Sequence, residues 1–317
     1  MADIIKKATR ESYGEALTAL AADFPNVVVL DADLAGATKT GNFKKVCPER
    51  FFDCGIAEAN MINTAAGLAT CGLIPFASSF AMFAAGRAFE QVRNGVGYPH
   101  LNVKIGATHA GVSVGEDGAT HQCNEDIALM RTIPGMTIIS PCDDTETKAA
   151  VRFAAEFVGP VYLRLGRSAV ENINDPAAYR FEMGKAVQLH EGEDVTVIAT
   201  GIMVQEALAA ARQLEKEGLS LRVLNMHTIK PIDREAIVKA AKETGVIVTV
   251  EEHSIMGGLG EAVAGVTAEE CPVPVIRIGV DDRFGYSASA KQILQDFGLC
   301  SDNIAQKARE VAARKGK

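Results

Sequence analysis

Apolar runs and helical stripes alternate along most of the chain. Residues 26–31, NVVVLD, form a short apolar run ending in a carboxylate, the pattern of a strand buried on both faces. RFFDC (50–54), LIPFAS (73–78), NVKIGAT (102–108), MTIIS (136–140) and GPVYLRL (159–165) read the same way. Between them, apolar positions recur at helical spacing over 8–23, 58–71, 80–95, 124–132 and 143–157. Strand–helix alternation with short loops predicts a parallel sheet covered by helices.

The stretch SAVENINDPAAYRFEMG breaks this rhythm: it is polar, contains Pro176 and has no period. It predicts a linker over 169–184 between domains at 1–168 and 185–317. Beyond it the alternation resumes, with strands over 194–201, 219–226, 245–252 and 273–280 and helices over 203–217, 233–243, 258–270, 287–297 and 301–314. The expected fold class is α/β, two parallel-sheet domains in tandem.

Composition agrees with a two-domain globular chain: 317 residues, 48% hydrophobic and 23% charged. A net charge of -8 argues against a nucleic-acid or anionic-membrane partner, while leaving room for a small phosphorylated substrate held by a few local bases. The seven cysteines are scattered with no C-x-x-C pair, which fits a reducing cytoplasm. The start, MADIIKKATRESYGEAL, lacks the apolar core of a signal peptide, and no apolar run approaches the roughly 18 residues of a membrane span.

Polar residues gather after the strands of the first domain. Ligands of open parallel sheets sit outside the carboxyl ends of strands. DADLAGATKTG follows 26–31, Glu58 follows RFFDC, and THAGVSVGEDGATHQ follows 102–108. Asp31, Asp33, Glu58, His109, Glu116, Asp117 and His121 are therefore expected near one edge, although each alone reads more readily as a solvated loop residue. Glu58 stands out because its neighbours, Gly55, Ile56, Ala57, Ala59, Ala65 and Ala66, are apolar and small, and Glu is rarely buried without a partner or a proton. The loop after 108 carries Gly111, Gly115 and Gly118, which allow tight turns and close approach of backbone to a ligand. Its two histidines do not sit at metal-ligand spacing on a rigid element, and no metal site is expected.

FFDCGIAEANMINTAAGLAT, SSFAMF and HAGVSVGEDGATHQ together resemble the pyrimidine-binding domain of transketolases, and HTIKPID and EEHSIMGGLGEAV resemble their C-terminal domain. The resemblance spans essentially the whole chain. Full-length transketolases have a further N-terminal domain that holds the cofactor diphosphate and its cation through a G-D-G…N motif. That motif is not found here, so the sequence resembles the C-terminal subunit of a split transketolase. The resemblance implies thiamine diphosphate as cofactor and a divalent cation (Mg2+ or Ca2+) held by an N-terminal partner subunit. It also implies self-association through both domains.

The resemblance also implies roles. The Glu matching Glu58 bonds the ring nitrogen of the thiamine aminopyrimidine, favouring the imino tautomer that deprotonates the thiazolium carbon. Such a group must hold a proton, which burial favours. Phe83 matches the residue that stacks on the pyrimidine. Phe80 lines the same pocket and, three residues away, is expected on the same helical face. Asp33 matches an acidic residue near the thiazolium. His109 matches a phosphate contact, Asp117 a contact to the substrate C2 hydroxyl, and His121 a proton shuttle. Arg10 and Arg167 match the phosphate-binding arginines, a residue type suited to bidentate recognition. Two positions depart from the pattern: a third pocket aromatic falls at Gly86, and a phosphate-site serine at Ala37, beside Thr38.

The implied activity is transfer of a two-carbon ketol unit from a ketose phosphate to an aldose phosphate. Alternatives of the same architecture are a deoxyxylulose-5-phosphate synthase-like chain and the beta subunit of a 2-oxoacid dehydrogenase. A nucleotide-binding oxidoreductase would rest on MGGLGEAV, a partial dinucleotide fingerprint whose third glycine falls at Val263. A non-catalytic assembly subunit would make Glu58 dispensable. His227 and His253 are expected to be structural.

Overall fold

The structure, a computed structural model, describes residues 6–313. In chain order the first domain contains β1 (Lys6–Ala8), α1 (Thr9–Asp23), β2 (Val27–Asp31), α2 (Ala35–Thr38), α3 (Gly41–Val46), β3 (Phe51–Asp53), α4 (Glu58–Thr70), β4 (Ile74–Phe80), β5 (Lys104–Thr108), α5 (Asp126–Arg131), β6 (Thr137–Ile139), α6 (Asp144–Glu156), β7 (Val161–Arg164) and β8 (Ala169–Glu171). The second contains β9 (Val187–His190), β10 (Val195–Ala199), α7 (Met203–Glu215), β11 (Leu221–Asn225), β12 (Thr228–Lys230), α8 (Arg234–Thr244), β13 (Ile247–Ser254), α9 (Leu259–Glu270), β14 (Val275–Val280), α10 (Ala290–Asp296) and α11 (Ser301–Ala312).

The first sheet runs β12-β6-β7-β5-β4-β2-β3 and the second β14-β13-β10-β11-β9. Both are parallel except at one edge, where β12 and β9 run antiparallel to their neighbours. Strands β2, β4, β5 and β7 are buried along their whole length, because helices cover both faces. Leu17, Phe43, Phe76 and Val151 fill one side of the first sheet, and Met61, Ile62, Val92 and Ile105 the other. Helix starts follow local chemistry. Asp143 accepts from the Glu146 N–H at 2.8 Å ahead of α6, and Asp233 from the Ala236 N–H at 3.0 Å ahead of α8.

Three features differ from the expected pattern. Residues 80–95 are not one α-helix. β4 continues to Phe80, because Ser78 and Ser79 are buried strand residues, and Ser78 Oγ lies 2.7 Å from the Tyr13 hydroxyl. Beyond it, Met82–Arg87 and Gln91–Gly97 wind in wide turns, with the Ala88 N–H donating to Phe83 O at 3.1 Å and the Tyr98 N–H to Arg93 O at 2.8 Å. The expected linker opens with β8, which pairs antiparallel with β1. Finally, β12 leaves the second domain and joins β6 at the edge of the first sheet.

Candidate active site

The carboxyl ends of β2, β4 and β5, together with the start of α1, bring the candidate residues into one chain of contacts. Glu58 is the first residue of α4. Its side chain is 1% exposed, and Arg87 Nη1 donates to its Oε2 at 2.8 Å. The expected burial is present, and a guanidinium is the carboxyl's partner. Oε1 takes no hydrogen bond among the described residues. Arg87, carried by the wide turn after β4, also lies over the Phe83 ring, 4.7 Å from its centroid. Nothing in the sequence marked Arg87. The only signal was a lone cation four residues after Phe83 in a segment rich in alanine.

From Phe83 the contacts continue inward. Phe80 and Phe83 do not share a helical face, since Phe80 ends β4, yet their rings stack at 5.9 Å. His109 stacks on Phe80 at 3.9 Å. His121 meets Phe83 edge-on at 5.4 Å and Phe80 at 6.2 Å. Its Nδ1 lies 2.9 Å from Thr120 Oγ1. His109 follows β5 with a positive φ of 58°, a strained left-handed conformation for a non-glycine residue and one that recurs at functional sites. Arg10 Nη1 lies 3.2 Å from His109 Nε2, and His109 Nδ1 lies 2.9 Å from Thr108 Oγ1. Arg10 has only protons to give, so Nε2 accepts and Nδ1 carries the hydrogen. Burial, with Arg10, Arg167, His121 and Lys39 nearby, pushes the imidazole pKa down to about 3. His109 is thus a neutral ring in a cationic setting.

That setting is built by the N-terminus of α1. The Gly166 N–H donates to Thr9 Oγ1 at 2.7 Å and the Arg10 N–H to Gly166 O at 3.3 Å. These bonds fasten the first turn of α1 to the chain leaving β7, so Arg10 and Arg167 come together with the positive helix end. Arg10 Nη1 also donates to Ala37 O at 3.0 Å, while its Nε is buried without an acceptor. The backbone of Ala37 therefore takes part where a serine side chain was expected. Gly14 keeps Lys39 close, since a Cβ there would lie 2.5 Å from Lys39 Cβ. Arg167 bonds the Val114 carbonyl and pairs with Glu116 at 3.3 Å.

The remaining candidates stand outside this contact chain. Asp33 is exposed at φ 61°, its N–H donating to Asp53 Oδ1 at 3.1 Å. Asp117 is exposed in the short turn Gly115–Asp117 on the rim. Asp31 is a scaffold residue: its buried carboxyl accepts from Thr38 Oγ1 at 2.7 Å, Thr40 Oγ1 at 2.8 Å and the Leu34 N–H at 2.6 Å. No group of His, Cys, Asp and Glu among the described residues is arranged to hold a metal ion. No helix among them is long and apolar enough to cross a membrane.

The MGGLGEAV stretch has a different occupant from a dinucleotide. Glu251 accepts from the Leu259 N–H at 2.7 Å and the Gly260 N–H at 2.8 Å, so the chain's own carboxylate fills the N-terminus of α9. His253 is fully buried. His227 is buried beneath Phe181 at 4.7 Å between ring centroids.

The chain of contacts has a buried carboxyl at one end, linked through Arg87 to an aromatic pair, and cations at the other. Phe83, half-buried, offers a ring to stack on, and Met82 packs against Gly86 where the family's third aromatic would stand. These residues fit the aminopyrimidine of thiamine diphosphate, and Arg10, Arg167 and Lys39 fit a terminal anion.

Comparison with known proteins identifies the family. Residues 5–172 match the family "Transketolase, pyrimidine binding domain" and residues 184–304 "Transketolase, C-terminal domain". The chain is 53% identical over 309 residues to a putative transketolase C-terminal section of Methanocaldococcus jannaschii, covering 96% of each. It is 44% identical over 306 residues to a 6-deoxy-6-sulfo-D-fructose transketolase subunit of Clostridium, covering 96% of this chain and 95% of that one. Human transketolase is 39% identical over 312 residues, 98% of this chain but 50% of the human protein. A solved structure described as "Split gene transketolase, inactive beta4 tetramer" superimposes with a TM-score of 0.90 at 52% identity, covering 96% of this chain and 98% of that one. The chain belongs to the transketolase family and spans its pyrimidine-binding and C-terminal domains, as the C-terminal sections of split transketolases do.

Proposed function

We propose that this chain supplies the pyrimidine pocket and the sugar-phosphate contacts of a composite transketolase site. The reaction moves a two-carbon ketol unit from a ketose phosphate to an aldose phosphate. The reading rests above all on one unbroken run of contacts: Glu58–Arg87–Phe83–Phe80–His109–Arg10. It joins a proton-exchanging carboxyl to an anion-binding end through an aromatic floor.

Bound thiamine diphosphate supplies an acidic ring carbon and an electron sink for cleavage of the ketose C2–C3 bond. Glu58 exchanges a proton with the pyrimidine ring through Oε1. Phe83 and Phe80 would orient that ring and exclude water, and Asp33 would serve the thiazolium side. His121, half-buried against both rings, would act as the proton carrier for the substrate. Neutral His109 accepts from Arg10, while Arg10 and Arg167 hold the distal phosphate. Asp117 on the rim receives the C2 hydroxyl. Relatives named for a sulfo-sugar and for apulose 4-phosphate show that family members of this length differ in the sugar named. The common demand is a ketose with a terminal anion.

The diphosphate and its divalent cation, Mg2+ or Ca2+, belong to an N-terminal partner subunit, with self-association of this chain completing the assembly. All seven cysteines are free, in keeping with a cytoplasmic protein. The test is reconstitution. The chain alone is expected to give no ketol transfer from xylulose 5-phosphate and to bind thiamine diphosphate weakly. Losing roughly 4 kcal/mol of diphosphate and metal contacts weakens binding about a thousandfold. Addition of a partner carrying the G-D-G…N motif is expected to restore both. Sub-micromolar binding by the isolated chain would overturn the composite site, and turnover of pyruvate in preference to xylulose 5-phosphate would transfer it to the synthase or dehydrogenase alternatives.

A further inference from the structure

The loop after β5 carries His109, Asp117 and His121, yet much of its support comes from the second domain. Glu252, near the end of β13, is buried, and its Oε1 accepts the Ser113 N–H at 2.5 Å. The carboxyl lies flat against Gly111, where a Cβ would come within 2.4 Å of Oε1. The φ of +82° there is also one that side chains avoid. Arg164, at the end of β7, secures the same strand end by donating to Glu252 O at 2.8 Å and to Asp126 Oδ2 at 2.9 Å. Farther along, Ser287 Oγ donates to Glu116 O at 2.5 Å and Gln122 Nε2 to Tyr286 O at 2.9 Å. The loop is thus held at both ends and in the middle by the second domain.

We infer that Glu252 is a positioning residue: its buried carboxylate clamps the 111–113 backbone and so fixes where His109, Asp117 and His121 stand toward the sugar phosphate. The second domain thereby acts on substrate binding as well as on assembly. This inference rests on the function proposed above only for the identity of the ligand. The clamp itself is a property of the free chain.

The experiment has two arms. In the full chain alone, amide hydrogen exchange followed by mass spectrometry over residues 109–118 is expected to accelerate about tenfold or more in Glu252→Ala, the order expected when an amide loses a charged acceptor. Glu252→Gln keeps an acceptor oxygen and is expected to stay near wild type. Ser287→Ala, an exposed change that leaves the core intact, is expected to accelerate exchange at 115–118 in the same direction. In the reconstituted complex, Glu252→Ala is expected to raise KM for the ketose phosphate about tenfold while thiamine diphosphate affinity holds, with Glu252→Gln restoring KM. Unchanged loop exchange in Glu252→Ala would overturn the clamp. Faster exchange with unchanged KM would overturn its role in the sugar site. A wild-type complex lacking ketol transfer would instead remove the proposed function, and the exchange arm would still decide the clamp.

Discussion

Arg87 Nη1 lies 2.8 Å from Glu58 Oε2, joining a half-exposed guanidinium to a carboxyl whose side chain is 1% exposed. Removing one partner of a buried pair costs about 3–5 kcal/mol, and water reaching the outer half of Arg87 reduces that figure. Arg87→Met is therefore expected to lower unfolding stability by about 1–2 kcal/mol, with Arg87→Lys recovering part of it. Urea unfolding midpoints measure the effect, and a midpoint equal to wild type would show that the pair is not stabilising.

Glu58→Gln is expected to keep the fold, because the amide oxygen can still accept from Arg87, and to keep most cofactor affinity in the reconstituted complex. It cannot exchange the proton. Hydrogen–deuterium exchange at the thiazolium carbon, read by NMR after acid quench, is expected to slow by about 10²–10⁴-fold. Exchange as fast as wild type would remove Glu58 from the mechanism.

Arg10→Ala and Arg167→Ala are each expected to raise KM for phosphorylated sugars by about tenfold or more, the scale of one hydrogen bond to a charged group. The two differ in kind. Arg167 reaches the loop backbone at Val114, whereas Arg10 also holds Ala37 O and His109 Nε2. Arg10→Ala is therefore expected to lower kcat as well, while Arg167→Ala leaves it nearly unchanged. Steady-state kinetics of the complex distinguish them, and unchanged KM in both would place the anion site elsewhere.

His109, with its pKa pushed down to about 3, remains neutral across the working pH range. Its ring resonances are expected not to titrate between about pH 5 and 8. The unfolded chain takes up a proton on this ring near pH 6.5 and the folded chain near 3. The contribution of the neutral ring is therefore complete above 6.5 and lost as pH falls towards 3. The stability gap between wild type and His109→Gln is expected to shrink over that window. A gap constant with pH would show that the folded and unfolded rings take up the proton alike, so that burial does not depress the pKa.

Most of the framework could be read from the sequence because strands buried on both faces leave unbroken apolar runs, and Val27–Asp31 is such a run. The end of β4 could not, because Ser78 and Ser79 look like loop residues until Tyr13 is seen bonding the first of them. Three-residue strands such as β1, β8 and β12 have no period of their own, and only their partners make them strands. A family pattern marks Glu58, Phe80, Phe83, His109, His121, Arg10 and Arg167 as candidates, and the structure brings them close together. Arg87 and Glu252 act through other residues, across distances in sequence of 29 and 139 positions, and no local signal reveals such a partner.

The excursion of β12 to the edge of β6 bears on how such a chain can be rearranged. The boundary near 172–184 invites treating the two halves as exchangeable modules. A cut there would strip β6 of its antiparallel neighbour and leave Thr228–Lys230 as an orphan in the other half. A bared strand edge is an invitation to aggregate. Recombination that swaps the second half must therefore bring a compatible edge strand with it.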